Sequence, residues 1–112
     1  MKYKIVLVPF PFDDLSASKV RPAICLTEKI SIYNHVVIAF ITSQVQNATE
    51  QSDIVLSQTD ADFQQTGLSV SSAIRLHRLV TIPTSLIRRA LGELPSTYHQ
   101  ELADKLRQLF KI

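Results

Sequence analysis

The segment Val8–Leu26, which reads VPFPFDDLSASKVRPAICL, begins and ends like a β-strand and carries a polar loop between the two ends. Its first apolar run is stopped by prolines, which have no N–H group to donate to a strand ladder. Lys19 and Arg21 precede the second run, and Pro22 restricts the backbone of Arg21, which helps to aim its side chain. The segment therefore predicts a β-rich fold with a guanidinium group held at the start of a strand.

Short apolar runs separated by turn-favouring residues continue along the chain and predict further strands. The predicted strands are Lys4–Val8, Pro22–Thr27, His35–Thr42, Ser52–Ser57, Ala73–Ile82 and a last one within Arg88–Leu94. Short strands at close spacing, followed by a single helix, favour a mainly β fold that forms a small, strongly curved barrel or half-barrel.

One helix is predicted over residues 95–110, PSTYHQELADKLRQLF. Thr97 and Gln100 have the spacing of a capping box. An apolar stripe at helical spacing predicts which side chains pack against the sheet: Tyr98, Leu102, Leu106, Leu109 and Phe110. Packing is favoured over a membrane role because the polar face of the helix carries both charge signs.

Length and composition predict a single globular domain over residues 1–112, with 46% hydrophobic and 20% charged residues. A chain of this size buries a modest core, so a dimer interface would help its stability. The single Cys25 excludes an internal disulfide framework and fits a reducing compartment. We find no signal-peptide pattern and no apolar run long enough to span a membrane, and we expect a cytoplasmic protein.

The net charge of +2 is unevenly distributed. No Lys or Arg occurs between Lys29 and Arg75, so the basic residues come from the two ends of the chain. If those ends meet in the fold, they form a basic face that attracts a polyanion. A solvated surface of mixed signs is the alternative.

Several kinds of chemistry are excluded by the residues available. Two glycines cannot build a phosphate-binding loop, and three scattered histidines with one cysteine show no metal-ligand spacing. We therefore expect no metal and no cofactor. His77 and His99 are expected in plain surface or boundary positions rather than as ligands, and Cys25 is expected to be buried.

The remaining chemistry lies in polar residues at predicted strand ends: Lys19, Arg21, Thr42, Ser43, Gln44, Ser71, Ser72, Arg75 and Arg78. A guanidinium is a rigid fork of donors that suits a phosphate, and a neighbouring hydroxyl adds a further hydrogen bond. Arginine with threonine can stabilise a phosphorane during strand cleavage. The residues alone leave open that Arg21 is a salt-bridge partner of Asp13 or Asp14.

Three blocks of sequence cover nearly the whole chain in order: IVLVPFPFDDLSASKVRPAICL, VVIAFITSQ and GLSVSSAIRLHRLVTIPTSLIRRALGEL. Together these blocks resemble the PemK/MazF-like growth-inhibitor family, the toxins of type II toxin–antitoxin pairs. The resemblance implies an SH3-like barrel with a C-terminal helix, usually a homodimer. It implies a metal-free endoribonuclease that cuts single-stranded RNA at short sequences and is inhibited by a cognate antitoxin.

The resemblance also assigns site residues. Arg21, in "RP", and Thr42, in "ITSQ", match the family's catalytic arginine and threonine, and Ser72 matches a polar position near the scissile phosphate. The RNA's own 2′-hydroxyl is the implied nucleophile. The loop Phe12–Lys19 would flank the substrate, with Phe12 either stacking on an unpaired base or packing in the core.

Two departures from the family pattern stand out. Tyr3 and Lys4 replace a common Gly-Asp, and Asp13 replaces a common threonine. A carboxylate at Asp13 could pair with Lys19 or Arg21 and weaken the attraction for phosphate, which leaves a weakened or inactive relative of the family as an alternative.

Two other functions fit the same architecture. A gyrase-directed toxin of the CcdB-like kind is disfavoured, because such relatives end in a Trp-Gly-Ile-type sequence and this chain has no Trp and ends RQLFKI. A non-catalytic nucleic-acid-binding module would show salt-sensitive binding without product formation.

Overall fold

The computed structural model describes residues 1–10 and 19–112. The strands in chain order are β1 (Lys4–Pro9), β2 (Val20–Cys25), β3 (His35–Thr42), β4 (Asp53–Leu56), β5 (Ser72–Pro83) and β6 (Arg89–Glu93). They pair antiparallel in the order β4-β5-β3-β2-β1-β6, and the sheet curls into a half-barrel. One C-terminal helix follows, α1 (His99–Phe110). The predicted fold class is confirmed.

Two apolar cores lie on opposite faces of the sheet, because successive side chains of a strand point in opposite directions. In β1, Ile5 belongs to one core, and Val6 and Val8 belong to the other. Helix α1 covers the first core and contributes Leu102, which is 2% exposed. The predicted apolar stripe is right except for Phe110, the last residue of the helix, which is 55% exposed.

The strand bounds match the predictions closely except in β2. β3 occupies its predicted segment, whereas β2 begins and ends two residues before the segment predicted for it. Pro22 fits within β2 because the ladder from β2 to β3 covers only Ala23–Cys25, so the earlier part of β2 pairs with β1. Arg21 therefore lies inside a strand and not before one.

Helix α1 begins without the predicted capping box. A 3₁₀ turn at Ser96–Tyr98 leads into it, and no side chain caps its first turn. The Thr97 hydroxyl instead donates to Asp62 Oδ2 at 3.2 Å, so a tertiary contact takes the place of the local one. Among the described residues, no helix is both long enough and apolar enough to cross a bilayer.

Both glycines of the chain lie where a 3₁₀ turn at Phe63–Thr66 packs closely against β6. Gly67 has a left-handed φ of 72°, and a Cβ atom there would overlap the carbonyl group of Leu91. A Cβ atom at Gly92 would overlap the carbonyl oxygen of Gln65. The two backbones can approach each other this closely only where side chains are absent.

Candidate active site

A groove with a volume of about 420 Å³ opens beside β2, β3 and β5. The sequence-predicted site residues that line it are Arg21, Thr42, Ser43, Gln44, Ser72, Arg75 and Arg78. Lys19 is exposed just before β2 and does not line the groove. Phe12 lies outside the described residues, as do Asp13 and Asp14. The groove thus brings Arg21, from the first part of the chain, together with Arg75 and Arg78, from its last third.

Arg21 and Thr42 are brought together by the pairing of β2 with β3. The ladder pairs Ala23 with Phe40, and the same register continued by two residues sets Arg21 across from Thr42. A step of two residues preserves the face of a strand, so both side chains belong to the same surface. Both line the groove.

The hydroxyl of Thr42 is oriented by the backbone that follows it. Its Oγ1 accepts a hydrogen bond from the Gln44 N–H at 3.1 Å, which leaves the hydroxyl proton free to be donated. Gln44 Oε1 in turn accepts from Asn47 Nδ2 at 2.8 Å. These local bonds fix the turn after β3, and Thr42 can serve as a hydrogen-bond donor toward the groove.

Ser72 contributes to the groove wall and uses its hydroxyl proton locally. The residue is 3% exposed, and its Oγ donates to the Val70 carbonyl at 2.9 Å. Ser72 therefore has no free hydroxyl proton to donate while this bond is intact. Ser43, by contrast, is exposed at the groove.

Arg75 is held in an ion pair that the sequence analysis missed. Its Nε donates to Asp53 Oδ1 at 2.8 Å, and the two residues are directly paired between β5 and β4. The Asp53 side chain is 2% exposed and that of Arg75 is 18% exposed. The second carboxylate oxygen accepts from the Glu50 N–H at 2.9 Å. The positive charge of Arg75 is thus largely balanced within the protein.

Arg78 lies over two aromatic rings. Its guanidinium carbon is 5.7 Å from the ring centroid of Phe10 and 5.5 Å from that of Phe40, within the range of a cation–π contact. Neither ring is marked as a site residue by the sequence pattern. Phe10 lies in the same PFPF stretch as Phe12, with nothing to distinguish them, and Phe40 reads as a core residue of an apolar strand.

Arg21 differs from the other two groove arginines. It is exposed, and among residues 1–10 and 19–112 no carboxylate pairs with it and no group hydrogen-bonds to its side chain. A guanidinium in this state presents all of its donors to a ligand. Arg21 is therefore well suited to bind an anion in the groove.

The other titratable candidates lie away from the groove. His77 is exposed, as predicted. His99 is partly buried and stacks on Tyr3 with ring centroids 3.6 Å apart, which fits the predicted surface or boundary role. Cys25 is buried as predicted, and burial raises the pKa of its thiol to about 11. Within the described part of the chain, no three His, Cys, Asp or Glu side chains are grouped so as to hold a metal ion.

Comparison with known proteins identifies the class of protein. A family model described as "PemK-like, MazF-like toxin of type II toxin-antitoxin system" matches residues 1–110. The chain therefore belongs to this toxin family. No curated protein matches its sequence.

Solved structures share the fold. The chain is similar to the Mycobacterium tuberculosis toxin MazF-mt6, with a TM-score of 0.72 and 20% identity over 97% of each chain. It is also similar to a structure described as an endoribonuclease in complex with its cognate antitoxin from mycobacterial species. That match has a TM-score of 0.69 and 11% identity, and it covers 100% of this chain and 93% of the other.

Proposed function

We propose that this toxin-family chain is a sequence-specific endoribonuclease that cleaves single-stranded RNA, including mRNA, without a metal ion. One observation carries the proposal. Arg21 and Thr42, which are distant in the sequence, line one groove, the first without a described carboxylate partner and the second with a hydroxyl proton to donate. The description of a structurally similar protein as an endoribonuclease supports the same reading.

In the proposed mechanism, Arg21 and Thr42 bind the scissile phosphate. The guanidinium of Arg21 makes charge-assisted hydrogen bonds to the phosphoryl oxygens and offsets the charge that develops as the phosphorus becomes five-coordinate. The Thr42 hydroxyl donates to a non-bridging oxygen. Both residues lie in strands, which fixes their backbones, and the Thr42 hydroxyl is further oriented by the Gln44 N–H.

The nucleophile belongs to the substrate. The 2′-oxygen of the RNA forms a bond to phosphorus, and the bond from phosphorus to the 5′-oxygen breaks. The 2′-hydroxyl loses its proton and the departing 5′-oxygen gains one, a transfer in which Arg21 can take part. The products are a 2′,3′-cyclic phosphate and a 5′-hydroxyl end. The protein contributes positioning and charge stabilisation.

Further residues are assigned to RNA binding around this centre. Ser43, Gln44, Ser72, Arg75 and Arg78 line the groove, and Lys19 is exposed next to β2. The segment that contains Phe12 lies between β1 and β2 in the sequence, and we retain Phe12 as a stacking candidate.

Two protein partners complete the proposal. An antitoxin would place a segment that folds on binding over the groove and block the path of the RNA. The groove arginines favour an acidic segment, and a similar structure is described as a complex with its cognate antitoxin. We also propose a homodimer and action in the cytoplasm, where the RNA substrate is found.

The test is a panel of labelled single-stranded RNAs incubated with the purified protein in EDTA, followed by analysis of the product ends. We expect cleavage at a short sequence, with cyclic phosphate and 5′-hydroxyl ends. Replacing the 2′-hydroxyl at the cut site with hydrogen should abolish cleavage at that site alone.

The same panel separates the alternatives. Binding without products would indicate a non-catalytic nucleic-acid-binding module. Intact RNA together with inhibition of gyrase supercoiling at stoichiometric protein would indicate a gyrase-directed toxin. Cleavage that persists at the 2′-deoxy site would contradict the proposed attack by the 2′-oxygen.

A further inference from the structure

The irregular register of β5 places Arg78 in the groove. β5 pairs Arg75 with Phe40 but Leu79 with Ala39, so the residues between Arg75 and Leu79 are extra on the β5 side. In a regular strand, residues three apart point to opposite faces. The bulge lets Arg75 and Arg78 line the same groove, and bulges commonly re-aim side chains in this way.

Arg78 rests on a corner made by two aromatic rings. The rings of Phe10 and Phe40 have centroids 5.1 Å apart and an interplanar angle of 71°. Phe40 is 8% exposed and Phe10 is half-buried, whereas Arg78 is exposed. The rings therefore support the guanidinium from beneath and leave part of the side chain open to the groove. We call Arg78, Phe10 and Phe40 the stacking corner.

The stacking corner differs chemically from the other two arginines of the groove. Arg75 is balanced by Asp53, and Arg21 presents its donors without a described partner. Within the described residues, Arg78 contacts apolar rings and no carboxylate. A guanidinium plane supported in this way is a surface on which an unpaired nucleobase can stack.

We propose that the stacking corner binds an unpaired base of the RNA next to the linkage held by Arg21 and Thr42. This inference rests on the proposed function, which supplies single-stranded RNA as the ligand. Arg78 then contributes through its planar group more than through its charge. Stacking of one base is worth about 5- to 150-fold in affinity.

The experiment measures binding by the full-length protein without catalysis. The probe is a fluorescein-labelled single-stranded RNA in which fluorine replaces every 2′-hydroxyl, together with a series that carries one abasic residue at successive positions. The variants are Arg78→Lys, which keeps the charge and loses the plane, and Arg89→Lys as a matched control. Arg89 is exposed on β6 and does not line the groove.

We expect Arg78→Lys to weaken binding of the intact probe about 5- to 150-fold with an unchanged salt dependence, and Arg89→Lys to bind like wild type. Removing the base at one position should weaken binding to wild type by a similar factor. The same abasic probe should weaken binding to Arg78→Lys by less than about 2-fold, because that variant has already lost the stacking contact. If Arg78→Lys does not fold, Phe10→Leu should give the same pattern. Wild-type affinity in Arg78→Lys, an equal loss on every abasic probe, or no binding by wild type would overturn the inference.

Cleavage is measured in parallel to separate this inference from the function on which it rests. If RNA is never cut, but one abasic position weakens binding to wild type and not to Arg78→Lys, the endoribonuclease proposal is refuted and the stacking corner is supported. RNA that is cut normally without that effect would refute the stacking corner alone.

Discussion

Replacing Asp53 with alanine should strongly destabilise the fold, because Asp53 is the only described carboxylate paired with the groove arginines. Its side chain is 2% exposed, and it accepts hydrogen bonds from Arg75 Nε at 2.8 Å and from the Glu50 N–H at 2.9 Å. Lys105 of α1 donates to the Asp53 backbone carbonyl, a contact that the substitution leaves in place. The change therefore removes the carboxylate and little else.

The expected loss follows from the burial of the two partners. Removing one partner of a buried ion pair costs about 3–5 kcal/mol, because the other charge is left without a counter-charge. The Arg75 side chain is 18% exposed and lines the groove, so water can reach it and the lower end applies. We expect Asp53→Ala to lower the free energy of unfolding by about 3 kcal/mol. Asp53→Asn keeps an acceptor oxygen and should cost about half as much.

The assay is urea unfolding at pH 7 and fixed protein concentration, for Asp53→Ala, Arg75→Ala and the double variant. If the ion pair accounts for the loss, the double variant should lose less unfolding free energy than the two single losses added together. The difference should be at least about 1 kcal/mol. A loss below about 0.5 kcal/mol for Asp53→Ala, or additive single losses, would refute this reasoning.

Three further predictions concern stability and reactivity. Gly92→Ala should lower the free energy of unfolding by about 1–3 kcal/mol and lower the melting temperature, because its Cβ would overlap the Gln65 carbonyl. The control Ala90→Gly, at an exposed position of the same strand, should lower it by less than about 1 kcal/mol. Equal losses would contradict the packing argument. Tyr3 has a left-handed φ of 75°, so Tyr3→Gly should be about 1 kcal/mol more stable in urea unfolding than Tyr3→Ala, and the reverse order would count against backbone strain. Cys25, whose pKa is raised to about 11 by burial, should react with iodoacetamide at pH 8 only in urea, as followed by mass spectrometry; rapid labelling of the native protein would show that the thiol is accessible.

The strands could be predicted well where burial dominates the sequence pattern. β3 is apolar almost throughout and has core residues on both faces, so its bounds can be read directly from HVVIAFIT. The predicted bounds of β2 lie two residues late, because a proline such as Pro22 is more common at the start of a strand than inside it. A proline is acceptable inside a strand where one neighbour is missing, and that depends on pairing partners the local sequence does not reveal.

The site could be predicted where regular pairing brings residues together and could not where pairing is irregular. Arg21 and Thr42 lie two residues beyond the Ala23–Phe40 pair that ends the ladder, and that regular register, continued, sets them across from each other. The bulge in β5 that aims Arg78 has no sequence signal, since strict alternation would put Arg75 and Arg78 on opposite faces. The pairing of Asp53 with Arg75 depends on β4 lying beside β5, a matter of topology rather than of local pattern.

The end of the helix shows the same limit in another way. Thr97 and Gln100 have capping-box spacing, but the Thr97 hydroxyl bonds to Asp62, which is distant in the sequence. Local motifs compete with tertiary contacts of similar free energy, and the sequence does not say which contact forms.

The most direct test of the account is the single-turnover rate of RNA cleavage by Arg21→Ala and Thr42→Val in the presence of EDTA, with Arg89→Ala as the control. Each groove variant should melt like wild type and lose about 10²–10³ in rate, while the control keeps the wild-type rate. The double variant should lose less than the product of the two factors, because both groups act on one phosphate. A folded Arg21→Ala protein that cuts RNA at the wild-type rate would contradict the account.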